Sequence, residues 1–428
     1  VTSFIATNSA TGGVYLDLRY TRDALGRITK KVETTDGATK TFEYGYDLAN
    51  RLAEVKTDGV VTASWTYDAN GNRTSETKGG TTVTASYDGQ DRLTQYGSES
   101  YAHGHSGELQ ERTRAGEGTT TSYRWSALGD LAEATLPDRT TVAYVVDAEG
   151  RRVGKKVNGT LVQAFVWESQ LRIAAELDAH GSLVSRFVHG SRASLPELII
   201  KEQAVLRIIV DQQENPRIVV NAADGTVIEQ MAFNEWGTAE ADSNRGLQPF
   251  GFAGGLFDVD TGLVRFGARE YDSATGRFLT PEPLIEQSES AASAAIAGMG
   301  LAPYAYALGN PLAYYDPDGL QTITLPVPWE IPWKTLSDLG VLAQPGALMA
   351  LPLVLFFWPA TAHAPGLPPE ALVPPACGRK IEAEEGEHTK NARPSTEEKH
   401  QKGKARKQRD KKGGEKGDAR RPYSRHDK

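Results

Sequence analysis

The chain carries one cysteine, Cys377, in 428 residues. An intrachain disulfide is therefore excluded, and stability has to come from burial and strand pairing. The N-terminal stretch VTSFIATNSATGGVYLDLRY has no basic segment followed by an apolar run, so it does not read as a secretory signal. It opens in mid-pattern, as expected of the C-terminal part of a longer polypeptide. The last forty-odd residues are short of apolar side chains, which denies them a core of their own.

What is present points to strands and turns. There are 43 glycines with many Thr, Tyr and Val, against an ordinary 39% apolar and 24% charged content. At 46.3 kDa there is room for two or three domains. The net charge of −8 hides an asymmetry, because His388 to Lys428 holds 15 Lys and Arg against 6 Asp and Glu.

The N-terminal half repeats a short unit: an alternating strand, an aromatic-Asp pair, two or three turn residues with Gly or Asn, an Arg, and another strand. Examples run from Asp23 to Arg27, Tyr46 to Arg51, Tyr67 to Arg73, Tyr87 to Arg92 and Val146 to Arg151. Asp can accept backbone hydrogen bonds across its own turn, and Gly or Asn supplies the positive φ, so each unit predicts a hairpin. Degenerate units lie near Trp125 to Gly129 and Leu177 to Gly181. From Asp211 to Arg217 the turn lacks Gly and is expected to be atypical. Recurrence at a fixed offset is what scaffolding does, so the repeated Tyr, Asp and Arg read as structural; carbohydrate binding through exposed Tyr and Trp is the alternative.

After residue 249 the pattern changes. Phe257-Asp258, Thr261-Gly262-Leu263, Ala268-Arg269, Tyr271-Asp272, Thr275-Gly276-Arg277-Phe278, Tyr304-Ala305-Tyr306, Asn310-Pro311 and Asp316-Pro317-Asp318-Gly319-Leu320 follow in order. This run, with the repeats before it, resembles the core region of the Rhs/YD-repeat proteins. The resemblance implies a mainly β fold: a spiralling antiparallel β-hairpin repeat shell closed by a core plug. It also implies that the shell encloses its own C-terminal segment and cuts it free between Leu320 and Gln321. The expected domains are 1–249 (shell), 250–320 (core), 321–376 (proline-rich apolar linker) and 377–428 (basic, partly helical or disordered tail).

Two carboxylates sharing one proton can hydrolyse a peptide bond without metal, Ser or Cys. The resemblance implies such a pair. Asp316 matches one position; at the other stands Glu282, where the family has Asp. An extra methylene displaces a carboxylate by ~1.5 Å, and misplacement of that order slows catalysis, so slow cleavage is expected. Arg277 resembles a family arginine needed for cleavage, and a guanidinium beside two acids holds one of them ionised. The competing reading is a buried ion network that seals the shell.

Leu339 to Thr361 is free of charge and long enough to span a bilayer, but Pro345, Pro352 and Pro359 interrupt it. Its readings are apolar filling of the shell or insertion into a target membrane. In the tail, Lys404, Arg406, Lys407, Arg409, Lys411, Lys412, Arg420 and Arg421 suit a polyanion such as RNA or DNA. His388, His400, His426, Glu415 and Asp418 are the groups able to do acid–base work there. No cofactor or resident metal is expected. The resemblance further implies a secreted, delivered or surface-borne toxin, a delivery apparatus and a cognate immunity protein. The alternatives are a membrane-acting toxin and an adhesive surface protein.

Overall fold

In the computed structural model the protein is described over residues 3–9, 11–283, 302–320 and 322–324. The chain divides into two compact units, Val1–Ser337 and Asp338–Lys428, and every described residue belongs to the first. The apolar segment 339–361, the basic tail with all its candidate residues, and Gln321 lie outside the described residues.

Twenty-three strands, from Ser3–Thr7 to Ala239–Asp242, form one sheet in which each strand pairs antiparallel with the next. Among the described residues there is no α-helix, only single 3-10 turns such as Phe252–Gly254 and Ala307–Gly309. The expected β-hairpin shell is what forms. Its early and late strands meet through side chains: Tyr15 donates to the carbonyl of Gly225 at 2.6 Å, Arg217 pairs with Glu33, and Lys78 with Glu240. Leu16, Leu18, Ile209, Ile218, Val220 and Trp236 fill the space between them.

In such a meander alternate hairpins fall on opposite rims, and the aromatic-Asp turns all fall on one. The chemistry recurs turn by turn. In Asp88 to Arg92, Oδ1 accepts the N–H groups of Gln90 and Arg92 at 2.9 and 3.0 Å, while Arg92 Nε donates to Oδ2 at 2.6 Å. Asp23, Asp47 and Asp147 do the same with Arg27, Arg51 and Arg151. The ring ahead of the Asp reaches back across the strands. Tyr46 donates to the carbonyl of Ile28, Tyr67 to Leu52, Tyr87 to Arg73, and the indoles of Trp125 and Trp167 to Leu109 and Arg152. These polar tips are therefore used inside the ladder.

Three expectations are corrected here. In the third unit Asn72, not Arg73, occupies the arginine position, donating to Asp68 Oδ2 at 3.1 Å. The Asp211 turn is regular: Gln213 and Asn215 donate to Asp211, and Glu214 takes the positive φ of 60° that glycine takes elsewhere. The unit at Asp178 connects Ile173–Leu177 to Leu183–Val188, so it sits on the opposite rim, out of phase with the others.

The core stretch forms a small four-stranded sheet, Leu256–Phe257, Val264–Phe266, Arg269–Asp272 and Arg277–Phe278, around a knot of aromatic rings. Tyr271 and Tyr306 have ring centroids 4.7 Å apart, with Phe252, Phe266 and Phe278 against them. This plug docks on the turn-bearing rim. Arg265 reaches Asp130 and the Gly150 carbonyl, Glu270 pairs with Arg152, and Asp258 pairs with Lys155. Tyr304 donates to Gly107, and Asn310 to Asn50.

Candidate self-cleavage site

The site gathers on Arg269, on the third strand of the plug sheet. Its Nη2 lies 2.7 Å from Asp316 Oδ2 and 2.6 Å from Glu282 Oε2, and its Nε donates to the Gly319 carbonyl at 2.5 Å. The guanidinium stacks on Phe278, with Cζ 3.6 Å from the ring centroid. The Glu282 backbone N–H is anchored on the Pro303 carbonyl at 2.8 Å. Sequence reasoning named Glu282 and Asp316 and missed the residue that joins them.

Arg277 is elsewhere. It donates to Asn72 Oδ1 at 2.9 Å and the Asp91 carbonyl at 2.6 Å, stacked on Tyr87, so it fastens the plug to the rim. The reason is strand alternation. Phe278 stands opposite Tyr271, hence on the face of Arg269, whereas Arg277 stands opposite Asp272 on the other face. The placement of Arg277 beside the two acids is thus corrected.

The loop ahead of the expected cut is itself an aromatic-Asp turn. Tyr315-Asp316-Pro317-Asp318-Gly319-Leu320 repeats the register of Tyr87 to Arg92, with Leu320 where the arginine belongs. Asp316 Oδ1 accepts the Leu320 N–H at 3.1 Å, the same bond that Asp88 makes to Arg92, and Gly319 takes a φ of 68°. The missing local guanidinium is replaced by that of Arg269. Two glycines make the docking close. A Cβ on Gly319 would stand 2.2 Å from the Phe266 carbonyl oxygen, and one on Gly267 2.3 Å from that of Asp318. Ala268 N–H donates to the same Asp318 carbonyl at 2.9 Å.

Asp316 is 1% exposed. Burial pushes its carboxyl up to about 6, with Asp318 adding to the rise and Arg269 opposing it. Burial also lowers Arg269. Asp318 Oδ1 accepts the Leu320 N–H as well, at 3.0 Å. An acid that holds its proton near pH 6, beside ionisable carboxyls and an amide one residue from the expected cut, is equipped for proton transfer. Among the described residues no group of three or more His, Cys, Asp or Glu is arranged to hold a metal ion, and no helix is long and apolar enough to cross a membrane.

A meander of aromatic-Asp hairpins closed by a Gly- and aromatic-rich plug defines a YD-shell protein. The chain belongs to the Teneurin YD-shell family, whose model matches residues 10–308. It is 28% identical over 305 residues to a tRNA3(Ser)-specific nuclease, WapA, of Bacillus spizizenii, covering 71% of this chain and 11% of that protein. It is also 28% identical over 270 residues to Teneurin-3 of Mus musculus, covering 61% of this chain and 10% of the relative. The chain thus spans about a tenth of the length of these curated relatives. A solved TcdB2-TccC3-Cdc42 structure aligns with a TM-score of 0.47 at 17% identity, covering 74% of this chain and 18% of that one.

Proposed function

We propose that this chain is the carrier part of an Rhs-type toxin: the plug cuts the polypeptide after Leu320 and frees residues 321–428, which act on nucleic acid. One observation carries the first half. Arg269 holds Glu282 and Asp316 together while Asp316 accepts the N–H of Leu320, the residue ahead of the cut. The second half is supported by the cationic tail and by the nuclease named among the relatives. A secreted or delivered protein, an immunity partner for the producer and a delivery partner belong to the same reading.

Enclosure is a separate matter. A cleft lies between the strands from Ile28–Thr35 to Arg73–Lys78 and those from Pro216–Asn221 to Ala239–Asp242, lined by Lys31, Glu33, Lys78, Arg217, Glu235 and Glu240. It holds about 220 Å³, the space of several waters at ~30 Å³ each.

Expressing the full chain in bacteria, with and without Asp316→Asn, tests the proposal. Growth arrest with degraded RNA or DNA, relieved by Asp316→Asn, is the expected result. Unimpaired growth with intact nucleic acid would refute the toxin reading.

A further inference from the structure

We propose that the rim sets where the plug docks by leaving arginine out of particular turns: Asn72 and Asp130 are sockets, and Arg277 and Arg265 of the plug enter them as the missing guanidinium groups. Docking of this kind is independent of whether the chain is cut.

Each rim turn closes with the N–H of its first residue on the carbonyl of its fifth, as Asp23 does on Arg27 and Ser126 on Asp130. Where the fifth residue is Arg27, Arg51, Arg92, Arg151 or Arg172, its guanidinium bonds within the rim and, among the described residues, gives no hydrogen bond to the plug. Such turns hydrogen-bond the plug through the carbonyl of their fourth residue, at Asn50, Asp91 and Gly150. Where the fifth residue is not arginine, its side chain faces the plug. Asn72 Oδ1 accepts from Arg277 at 2.9 Å, Asp130 Oδ1 from Arg265 at 2.8 Å, and Asn215 Oδ1 from the Ala253 N–H at 2.8 Å, while the Thr238 hydroxyl donates to the Ser273 carbonyl at 3.2 Å. The turn ending at Glu108 meets the plug through backbone instead, the Gly107 carbonyl taking the Tyr304 hydroxyl.

The plug arginines do what a local arginine does. Arg27 lies over the ring of Tyr46 and Arg51 over that of Tyr67, each ring belonging to the next aromatic-Asp turn, with Cζ 4.6 and 4.5 Å from the centroid. Each also bonds that next turn, Arg27 at the Asn50 side chain and Arg51 at the Asp68 carbonyl. Asn72 has no guanidinium to lay over Tyr87. Arg277 comes from the plug to do so, with Cζ 4.7 Å from the centroid, and bonds the Asp91 carbonyl of the same turn. Arg265 likewise spans Asp130 and the Gly150 carbonyl of the turn that follows.

An arginine at position 72 would need the ring that Arg277 already covers, so a turn with its own guanidinium shuts the plug's out. Arg265 and Arg277 are both buried, and a buried cation parted from its acceptors is strongly destabilising. Two sockets therefore fix one position for the plug along a rim whose turns are otherwise alike.

The test uses the full chain with Asn72→Arg, Arg277→Ala or both, followed by thermal melt and by hydrogen exchange at Phe278 and Leu279, whose N–H groups bond the Tyr304 and Glu270 carbonyls in the plug. Each single variant is expected to speed that exchange by at least ~10-fold, Asn72→Arg because two guanidinium groups compete for one place. In the double variant the new arginine covers Tyr87 from the rim, so the melt returns toward that of the parent while the plug amides stay fast. Exchange at the parent rate in Asn72→Arg overturns the assignment, since the place is then not shared. A double variant whose melt is no higher than that of Asn72→Arg, or whose plug exchanges as slowly as the parent's, overturns it as well. Should Asn72→Arg fail to fold, the double variant still decides: a folded chain with a fast-exchanging plug supports the sockets, and an unfolded one overturns them.

Discussion

Tyr87 to Arg92 and Tyr315 to Leu320 are the same turn in two different electrostatic settings. Both begin with a tyrosine and an aspartate whose Oδ1 accepts the N–H four residues on. In the first, burial acts to raise the carboxyl of Asp88, but the Gln90 N–H and the Arg92 guanidinium outweigh it and hold the group below the usual carboxylate range. In the second the local arginine is a leucine, the carboxyl is buried, and the group is pushed up to about 6. One turn locks its charge, while in the other burial favours the protonated acid. The difference lies in where the guanidinium comes from: four residues away, or Arg269, across the plug.

Restoring the local arginine should break that contrast most severely. Leu320→Arg offers Asp316 the partner that Asp88 has, and a return to the ordinary range of ~4 from about 6 lowers its protonated fraction at neutral pH by ~100-fold. Cleavage of the full chain should slow by about that factor, read as the fraction of cut chain against time.

A smaller effect comes from pH alone. The carboxyl of Asp316 stands above its unfolded value, so the stability it contributes is fully present below ~4 and is lost as pH rises through about 6. The proton it donates is lost over the same window. Cleavage should therefore fall about tenfold per pH unit above 6, and a flat profile between pH 6 and 8 would show that Asp316 is not the acid. Smallest of all is Asp88→Ala, which removes the side-chain acceptor of two backbone N–H groups and a partly exposed ion pair. It should lower stability by roughly 1 to 2 kcal/mol in a denaturant titration and leave the cleavage rate within about twofold.

The hairpins were legible because their chemistry is complete within five residues: Asp, a residue able to take positive φ, and a donor. Where the donor changed type the pattern misled, since Asn72 does locally what arginine does in its neighbours, and Glu214 shows that a non-glycine can take the turn. The resemblance named two acids that the fold does bring onto one guanidinium. It could not name that guanidinium, because Arg269 and Arg277 look alike in sequence but stand on adjacent strands with their side chains on opposite faces of the plug sheet.

The account stands most directly on the intact mass of the purified full chain held near pH 5.5, beside Asp316→Asn. It predicts a parent that converts to two fragments, the second beginning at Gln321, and a variant that stays whole. A parent that remains a single 46.3 kDa species, or a variant cut as fast as the parent, would contradict it.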